Sequence, residues 1–180
     1  MKLSNPEKII LLMLSDVCDK LNINEYNTGV IKEAIRTDND WALDWEFGGV
    51  IGENREDMPQ EVSDVICYLD MWDAIEESFS NYDQHELNIF WAEMESKTTN
   101  LKFPGFDGNS ESKFLSITSM LINRMGRFSR FMGRDLNSHF PAADDYSKMF
   151  DVFYDAPGDG YAPRRLPPQF LASIFKAAKN

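Results

Sequence analysis

The sequence has few of the residues that build metal centres and redox sites. It contains two cysteines and two histidines in 180 residues, and the cysteines form no Cys-x-x-Cys pair. Structural zinc sites need four clustered Cys or His ligands, and a disulfide framework needs several paired cysteines. We therefore expect no metal ion and no cofactor. Unpaired cysteines inside apolar stretches favour buried, reduced thiols and a cytoplasmic location.

The sequence also lacks long hydrophobic runs. The longest, Ile9 to Leu14, has six residues, whereas a membrane-spanning helix needs roughly 20. This run follows a helix start at Ser4-Asn5-Pro6-Glu7, which offers a capping side chain and an early proline. Apolar residues then recur at helical spacing, at Ile9, Leu12, Met13, Val17 and Leu21. The pattern predicts a helix that contributes this stripe to a protein core and does not contact a membrane.

Basic residues are outnumbered, and their distribution is uneven. The net charge of −12 argues against generic affinity for nucleic acid or for anionic membranes. Residues 1–100 carry a balance of −15, whereas residues 101–180 carry +3. This uneven charge distribution is compatible with a local anion site. It is also compatible with packing of acidic against basic regions within one chain or between subunits.

The pattern of apolar residues predicts an all-α protein. No segment shows the strict alternation of a half-buried strand. The length suits a single domain over residues 1–180, with about eight helices and short connections. Four of the later predicted helices are identified by their apolar residues: Val30 to Ile35, Trp41 to Phe47, Leu87 to Met94 and Phe114 to Met132. The second of these is predicted to end at Gly48-Gly49. Three more are predicted with both ends: Pro59 to about Asn81, Pro141 to Tyr154 and Pro168 to Lys179.

Local motifs for catalysis are missing. His85-Glu86 is followed by Ile89 where a zinc protease helix would have its second histidine. No phosphate-binding loop and no serine nucleophile elbow is present. We therefore assign no catalytic residue, and we keep a carboxylate-rich pocket with Glu46, Asp70 and Asp73 as an enzyme alternative.

One cationic cluster stands out in the second half of the sequence. Arg124, Arg127, Arg130 and Arg134 follow at intervals of three, three and four, so on a helix they share one side. Such a row can bind phosphate, an acidic partner or a nucleic acid backbone. It can equally pair with the acidic helices of the same chain or of a second subunit.

Three stretches resemble the YfbU family, whose members occur in bacteria and archaea and have no assigned biochemical function. The first is Glu46-Phe47-Gly48, and the second is Asp70-Met71-Trp72 on the long helix. The third is Gly105-Phe106-Asp107, followed by Gly126-Arg127-Phe128. None of these is a catalytic signature. Some family members carry an added DNA-binding segment of the ribbon-helix-helix type, which implies a regulatory association.

These observations favour a binding or assembly protein that acts through protein–protein contacts as a homo-oligomer. The four tryptophans either anchor a subunit interface or pack in the core: Trp41, Trp45, Trp72 and Trp91. The first alternative is a regulator that contacts nucleic acid or another anion through Arg124 to Arg134. The second is the enzyme with a carboxylate-rich pocket.

Overall fold

The structure, a computed structural model, describes residues 3–51, 58–94, 101–155 and 165–178. These residues form eight α-helices and no strand, which confirms the all-α prediction. The helices are α1 (Asn5–Leu21), α2 (Thr28–Arg36), α3 (Trp41–Ile51), α4 (Gln60–Ser80), α5 (Gln84–Glu93), α6 (Ser112–Ser119), α7 (Ala143–Tyr154) and α8 (Pro168–Ala177).

Two of the predicted helix ends are wrong. Gly48 and Gly49 lie inside α3, which continues to Ile51. The helix predicted to run through Met132 is shorter, because α6 leads into a single π-helical turn over Met120–Arg124. The chain then reverses at Gly126, whose φ is +65°, and only a short 3₁₀ turn, Ser129–Phe131, follows. A glycine with positive φ ends a helix at little steric cost.

The chain divides into two compact units. The first combines Met1–Ser63 with Ser116–Gly133, and the second combines Asp64–Leu115 with Arg134–Asn180. The extent of a single domain over residues 1–180 stays a prediction.

The core of the first unit lies between α2, α3 and the π-helical turn. It is a small aliphatic cluster: Val30, Ala34, Ala42, Leu43 and Met120. Trp41 and Phe47 pack against it from α3. The α1 helix packs on α2 at the edge of this unit.

The core of the second unit is aromatic. Trp72 of α4 lies 6.0 Å, between ring centres, from Phe103, 5.7 Å from Tyr146 and 5.8 Å from Phe175. The rings meet at 52–75°, as aromatic pairs prefer. Trp72 is 3% exposed, so the core alternative holds for this tryptophan.

The turn before α6 is fixed by hydrogen bonds. The carboxylate of Asp107 accepts a bond from the Ser110 hydroxyl at 2.6 Å and another from the Ser110 backbone N–H at 3.0 Å. These bonds hold the pKa of Asp107 below its usual value. Glu111 accepts bonds from the backbone N–H groups of Ala142 and Ala143 at 2.8 and 2.7 Å, and it thereby satisfies the start of α7.

Candidate functional site

Both ends of α1 are well defined. At its start, the Ser4 hydroxyl and backbone N–H donate to the Glu7 carboxylate at 2.6 and 2.8 Å. At its end, Asn22 adopts a left-handed conformation with φ of 56°. The Ile23 N–H then bonds to the Cys18 carbonyl at 2.9 Å, and the Asn22 N–H bonds to the Asp19 carbonyl at 3.3 Å. This arrangement is a Schellman cap with asparagine in the glycine position. The predicted helix start at Ser4 is therefore correct.

The two sides of α1 have opposite surroundings. The side that faces α2 carries buried Ser15, whose hydroxyl bonds to the Leu11 carbonyl at 2.7 Å, and half-buried Leu12 and Cys18. The other side is apolar and exposed. Its large side chains are between 49% and 65% exposed: Ile9, Ile10, Met13, Leu14, Val17 and Leu21. We call these six residues the α1 face.

The prediction that this stripe belongs to the core is wrong. Ile9, Met13, Val17 and Leu21 are exposed, and only Leu12 of the predicted stripe is half-buried. A helix with apolar residues on more than one side satisfies the periodicity of a core helix whichever side is covered. The signal that could have revealed the second side is the unusual width of the apolar arc.

The α1 face has the spacing of a helix–helix contact. Ile10, Leu14, Val17 and Leu21 follow at intervals of four, three and four, which is the spacing of a coiled-coil seam. Each residue turns the helix by about 100°, so Ile9 and Met13 extend the apolar arc on one side of this seam.

Ion pairs fix α1 to α2 beside the α1 face. The Lys32 ammonium lies 2.6 Å from the Asp16 carboxylate and 2.5 Å from that of Asp19. The Thr28 hydroxyl adds a bond to Asp19 at 2.6 Å. The bond from Lys32 is the main reason that the pKa of Asp19 falls below its ordinary value, and the same contacts raise the pKa of Lys32. The α1 face is therefore presented on a helix that is held in place.

The apolar surface continues beyond the end of α1. Ile23 is 38% exposed and Tyr26 is 53% exposed. Tyr26 lines an open pocket of about 700 Å³ between the α1–α2 loop and the end of α3. Its described lining includes Glu25, Glu46 and Phe47 but no basic residue, so the pocket beside this end of α1 is acidic.

The arginine row does not lie on one helix, because the helix ends at Arg124. The Arg124 guanidinium lies 3.4 Å from the Glu33 carboxylate, and it remains half exposed. The Arg127 guanidinium lies over the Trp45 ring, 5.1 Å from its centre. The alternative of pairing with an acidic helix of the same chain therefore holds for Arg124, whereas Arg127 contacts an aromatic ring. Anion binding by Arg124, Arg127, Arg130 and Arg134 stays a prediction.

Arg134 belongs to the second unit, where it has a structural partner. Its two terminal nitrogens donate to the two carboxylate oxygens of Glu76 at 2.7 and 2.8 Å. The backbone N–H of Phe103 donates to the same carboxylate at 2.7 Å. The Glu76 side chain is only 9% exposed, so this carboxylate is a structural partner of Arg134 and does not belong to a solvated surface.

The residues of the family resemblance have separate roles. Glu46 and Phe47 line the pocket at the end of α3, whereas Met71 and Trp72 are buried in the second unit. A Cβ atom added to Gly105 would lie 1.9 Å from the Leu136 carbonyl oxygen, so this close approach requires glycine.

The two parts of the third stretch, around Phe106 and around Arg127, have distinct backbone features. Phe106 is fully buried, and its N–H bonds to the Leu136 carbonyl at 3.0 Å. Gly126 and Phe128 both have positive φ, of +65° and 51°, and Arg127 lies between them. Positive φ is rare for a bulky residue such as phenylalanine, and it stores local strain.

The carboxylates of the enzyme alternative are divided between the units. Glu46 belongs to the first unit, and Asp70 and Asp73 belong to the second. Partial desolvation, with a smaller contribution from the Asp73 charge, raises the pKa of Asp70. Among the described residues, no three His, Cys, Asp or Glu side chains are placed to hold a metal ion. These observations add no support to the enzyme alternative.

The two cysteines are unpaired, as expected, but both are half-buried and not fully buried. Desolvation is the main reason that the pKa of Cys67 is raised, which lowers its reactivity at neutral pH. Within the described ranges, no helix is long and apolar enough to cross a bilayer.

Comparison with known proteins identifies the family. The model of the YfbU domain matches residues 1–175. The chain is 28% identical to a UPF0304 protein of Methanocaldococcus jannaschii, over 59% of this chain and 64% of that protein. It is also 28% identical to a UPF0304 protein of Actinobacillus succinogenes, over 76% of this chain and 73% of that protein. The alignment thus spans less than two thirds of the first relative. The chain belongs to the YfbU family.

Proposed function

We propose that this protein is a non-catalytic assembly protein of the cytoplasm, and that the α1 face binds a second copy of the same chain. One observation carries the proposal: six large aliphatic side chains on one side of α1 are about half exposed or more. Monomeric proteins rarely leave a contiguous apolar patch of more than a few hundred Å² in water.

The size of the patch fits a dimer. A half-exposed aliphatic side chain presents on the order of 100 Å² of apolar surface, so the α1 face offers roughly 600 Å². Ile23 and Tyr26 enlarge the patch at one end. A stable interface buries about 800 Å² on each partner. One helix face and its continuation therefore supply most of the area that a dimer needs.

Charge favours a second copy over a differently charged partner. The six residues of the α1 face carry no charge, and charged residues of both signs lie next to them on α1: Glu7, Asp16 and Lys20. A symmetric dimer uses the same patch twice, so its interface must be complementary to itself. A neutral aliphatic patch meets this condition without burying like charges.

Light scattering after gel filtration tests this proposal. We expect the wild type to have twice the chain mass of 20.7 kDa at micromolar concentration. Leu14→Asp changes two side chains in each dimer, and it should weaken association by at least about 100-fold, because each buried leucine contributes roughly 1.5 kcal/mol or more.

Met132→Asp is the matched control for this experiment. Met132 is 54% exposed, as is Leu14, but it lies outside α1. This variant should remain dimeric. A monomeric wild type, or equal effects of the two variants, would refute the proposal.

A second candidate function keeps some support from Arg127. An arginine stacked on a half-buried indole is an arrangement that also occurs at nucleic acid surfaces. The regulator alternative predicts binding of a nucleic acid that weakens steeply with salt.

Titration of a labelled DNA duplex at 50 and 200 mM salt tests the regulator alternative. Substitution of Arg124, Arg127 and Arg130 with glutamine should then abolish binding, while Arg134 is left in place because it holds Glu76. Absence of salt-sensitive binding by the wild type would exclude this alternative.

A further inference from the structure

We infer that the two copies pair through α1 in antiparallel orientation, about a two-fold axis that passes between Met13 and Leu14. This inference rests on the proposed function, because it specifies how the α1 face meets its counterpart. It adds a register and a direction, neither of which follows from dimerisation itself.

The order of residues along α1 permits this pairing. Reversal of the helix about its midpoint places Ile10 opposite Val17 and Met13 opposite Leu14. It also places Leu21 opposite Pro6 in the first turn. An antiparallel partner therefore meets the apolar seam along its full length. A symmetric dimer requires such reciprocity, since residue i contacts j wherever j contacts i.

The charges at the two ends of α1 decide the direction. The C-terminal end of the α1 face leads to the pocket with Glu25 and Glu46, which has no basic residue in its described lining. A parallel pair would bring these two acidic ends together, with Lys20 near its own copy. An antiparallel pair separates the acidic ends by roughly 25 Å, the length of α1, which exceeds the screening length of about 8 Å at physiological salt.

The opposite end of α1 is a better neighbour for this acidic region. Lys8 lies there with its ammonium 2.9 Å from Asp38 and 3.4 Å from Asp40. Lys8 offsets one of these two carboxylate charges within its own chain, and the N-terminal end of the helix dipole is positive. The antiparallel arrangement therefore places each pocket beside the positive end of the helix dipole of the other copy.

Disulfide cross-linking tests the direction of the pair. Single cysteines are introduced by Met13→Cys, Ile10→Cys, Val17→Cys or Leu21→Cys, in a chain in which Cys18 and Cys67 are replaced by alanine. A disulfide requires Cβ atoms about 4 Å apart. An equal mixture of the Ile10→Cys and Val17→Cys chains, one of them enlarged by a tag, distinguishes mixed from self-linked dimers.

We expect Met13→Cys to link to itself and the mixed chains to link to each other. Leu21→Cys should link at least tenfold more slowly than Met13→Cys, because its two copies would lie roughly 20 Å apart. Equal linking of Leu21→Cys and Met13→Cys would show a parallel pair and would overturn the inference.

The mass of each reduced variant separates the two proposals. A dimer with no cross-link at any α1 position would overturn the antiparallel α1 pair but leave self-assembly intact. A monomeric wild type and monomeric reduced variants would overturn both. The cysteine-free background must keep the wild-type mass, since Cys18 lies on the side of α1 away from the α1 face.

Discussion

Two helices of this protein carry apolar stripes of the same kind, and their surroundings differ. On α4, Leu69, Trp72 and Ile75 are at most 3% exposed, because the helices and loops of the second unit cover them. On α1, the six residues of the α1 face are at least 49% exposed. The comparison shows that an apolar stripe specifies a contact but does not specify whether the same chain or another copy supplies it.

The largest expected effect comes from a substitution in the buried stripe of α4. Trp72→Ala should lower the free energy of unfolding by about 3–5 kcal/mol, because it leaves a cavity among Phe103, Tyr146 and Phe175. The loss should not depend on protein concentration. Urea unfolding followed by circular dichroism at two protein concentrations measures it.

Leu14→Ala is the matched substitution in the exposed stripe of α1. It should cost less than about 0.5 kcal/mol in dilute solution and more at high concentration, because association stabilises only the folded protein. Trp72→Phe provides a milder core variant if Trp72→Ala does not fold. A cost of Leu14→Ala that is independent of concentration would contradict the account.

Two glycines with positive φ give the next comparison. Gly105→Ala should destabilise the second unit by about 3 kcal/mol or more, because its Cβ would lie 1.9 Å from the Leu136 carbonyl oxygen. Gly126→Ala meets no atom within 4 Å and carries only the conformational cost of about 1–2 kcal/mol. Chemical unfolding of both variants checks this ranking, and equal losses would be inconsistent with it.

Two arginine pairs should differ in strength. Arg134→Gln should cost about 2 kcal/mol or more, because it leaves the nearly buried Glu76 carboxylate without its bidentate partner. Arg124→Gln removes a half-exposed pair with Glu33 and should cost at most about 0.5 kcal/mol. The same unfolding experiment measures both, and a larger loss for Arg124→Gln would contradict the assignment.

The smallest expected effect concerns pH and the attachment of α1. Bonds from Lys32 and Thr28 hold the pKa of Asp19 below its ordinary value of 3.8, so the charged form stabilises the folded protein. This contribution is present above pH 3.8 and disappears as the pH falls through the lower, folded pKa. Asp19→Asn should therefore cost stability at pH 7 and lose most of that cost near pH 2. A difference from the wild type that stays constant with pH would contradict this role.

Much of the fold could be predicted from local chemistry. Ser4 starts α1, and Asp83 caps α5 by accepting a bond from the Glu86 N–H at 2.8 Å, because such signals act within one helical turn. The predicted range from Pro59 to about Asn81 matches α4. Helical periodicity and these caps are enough to identify most of the helices.

The errors in the prediction occur where one sequence pattern is compatible with two different structures. The apolar spacing from Phe114 to Met132 continues past Gly126, yet the backbone turns there, since glycine accepts a positive φ that the spacing does not encode. The same limit applies to α1. Its stripe fits a core helix equally well, and only the position of α2 determines which side remains exposed.

The central claim is that the α1 face of this YfbU protein is covered by a second copy. Sedimentation equilibrium of the wild type over a wide range of micromolar concentrations tests it most directly. The account predicts a mass of twice 20.7 kDa that falls toward the chain mass only on dilution. A mass of 20.7 kDa throughout that range would contradict it.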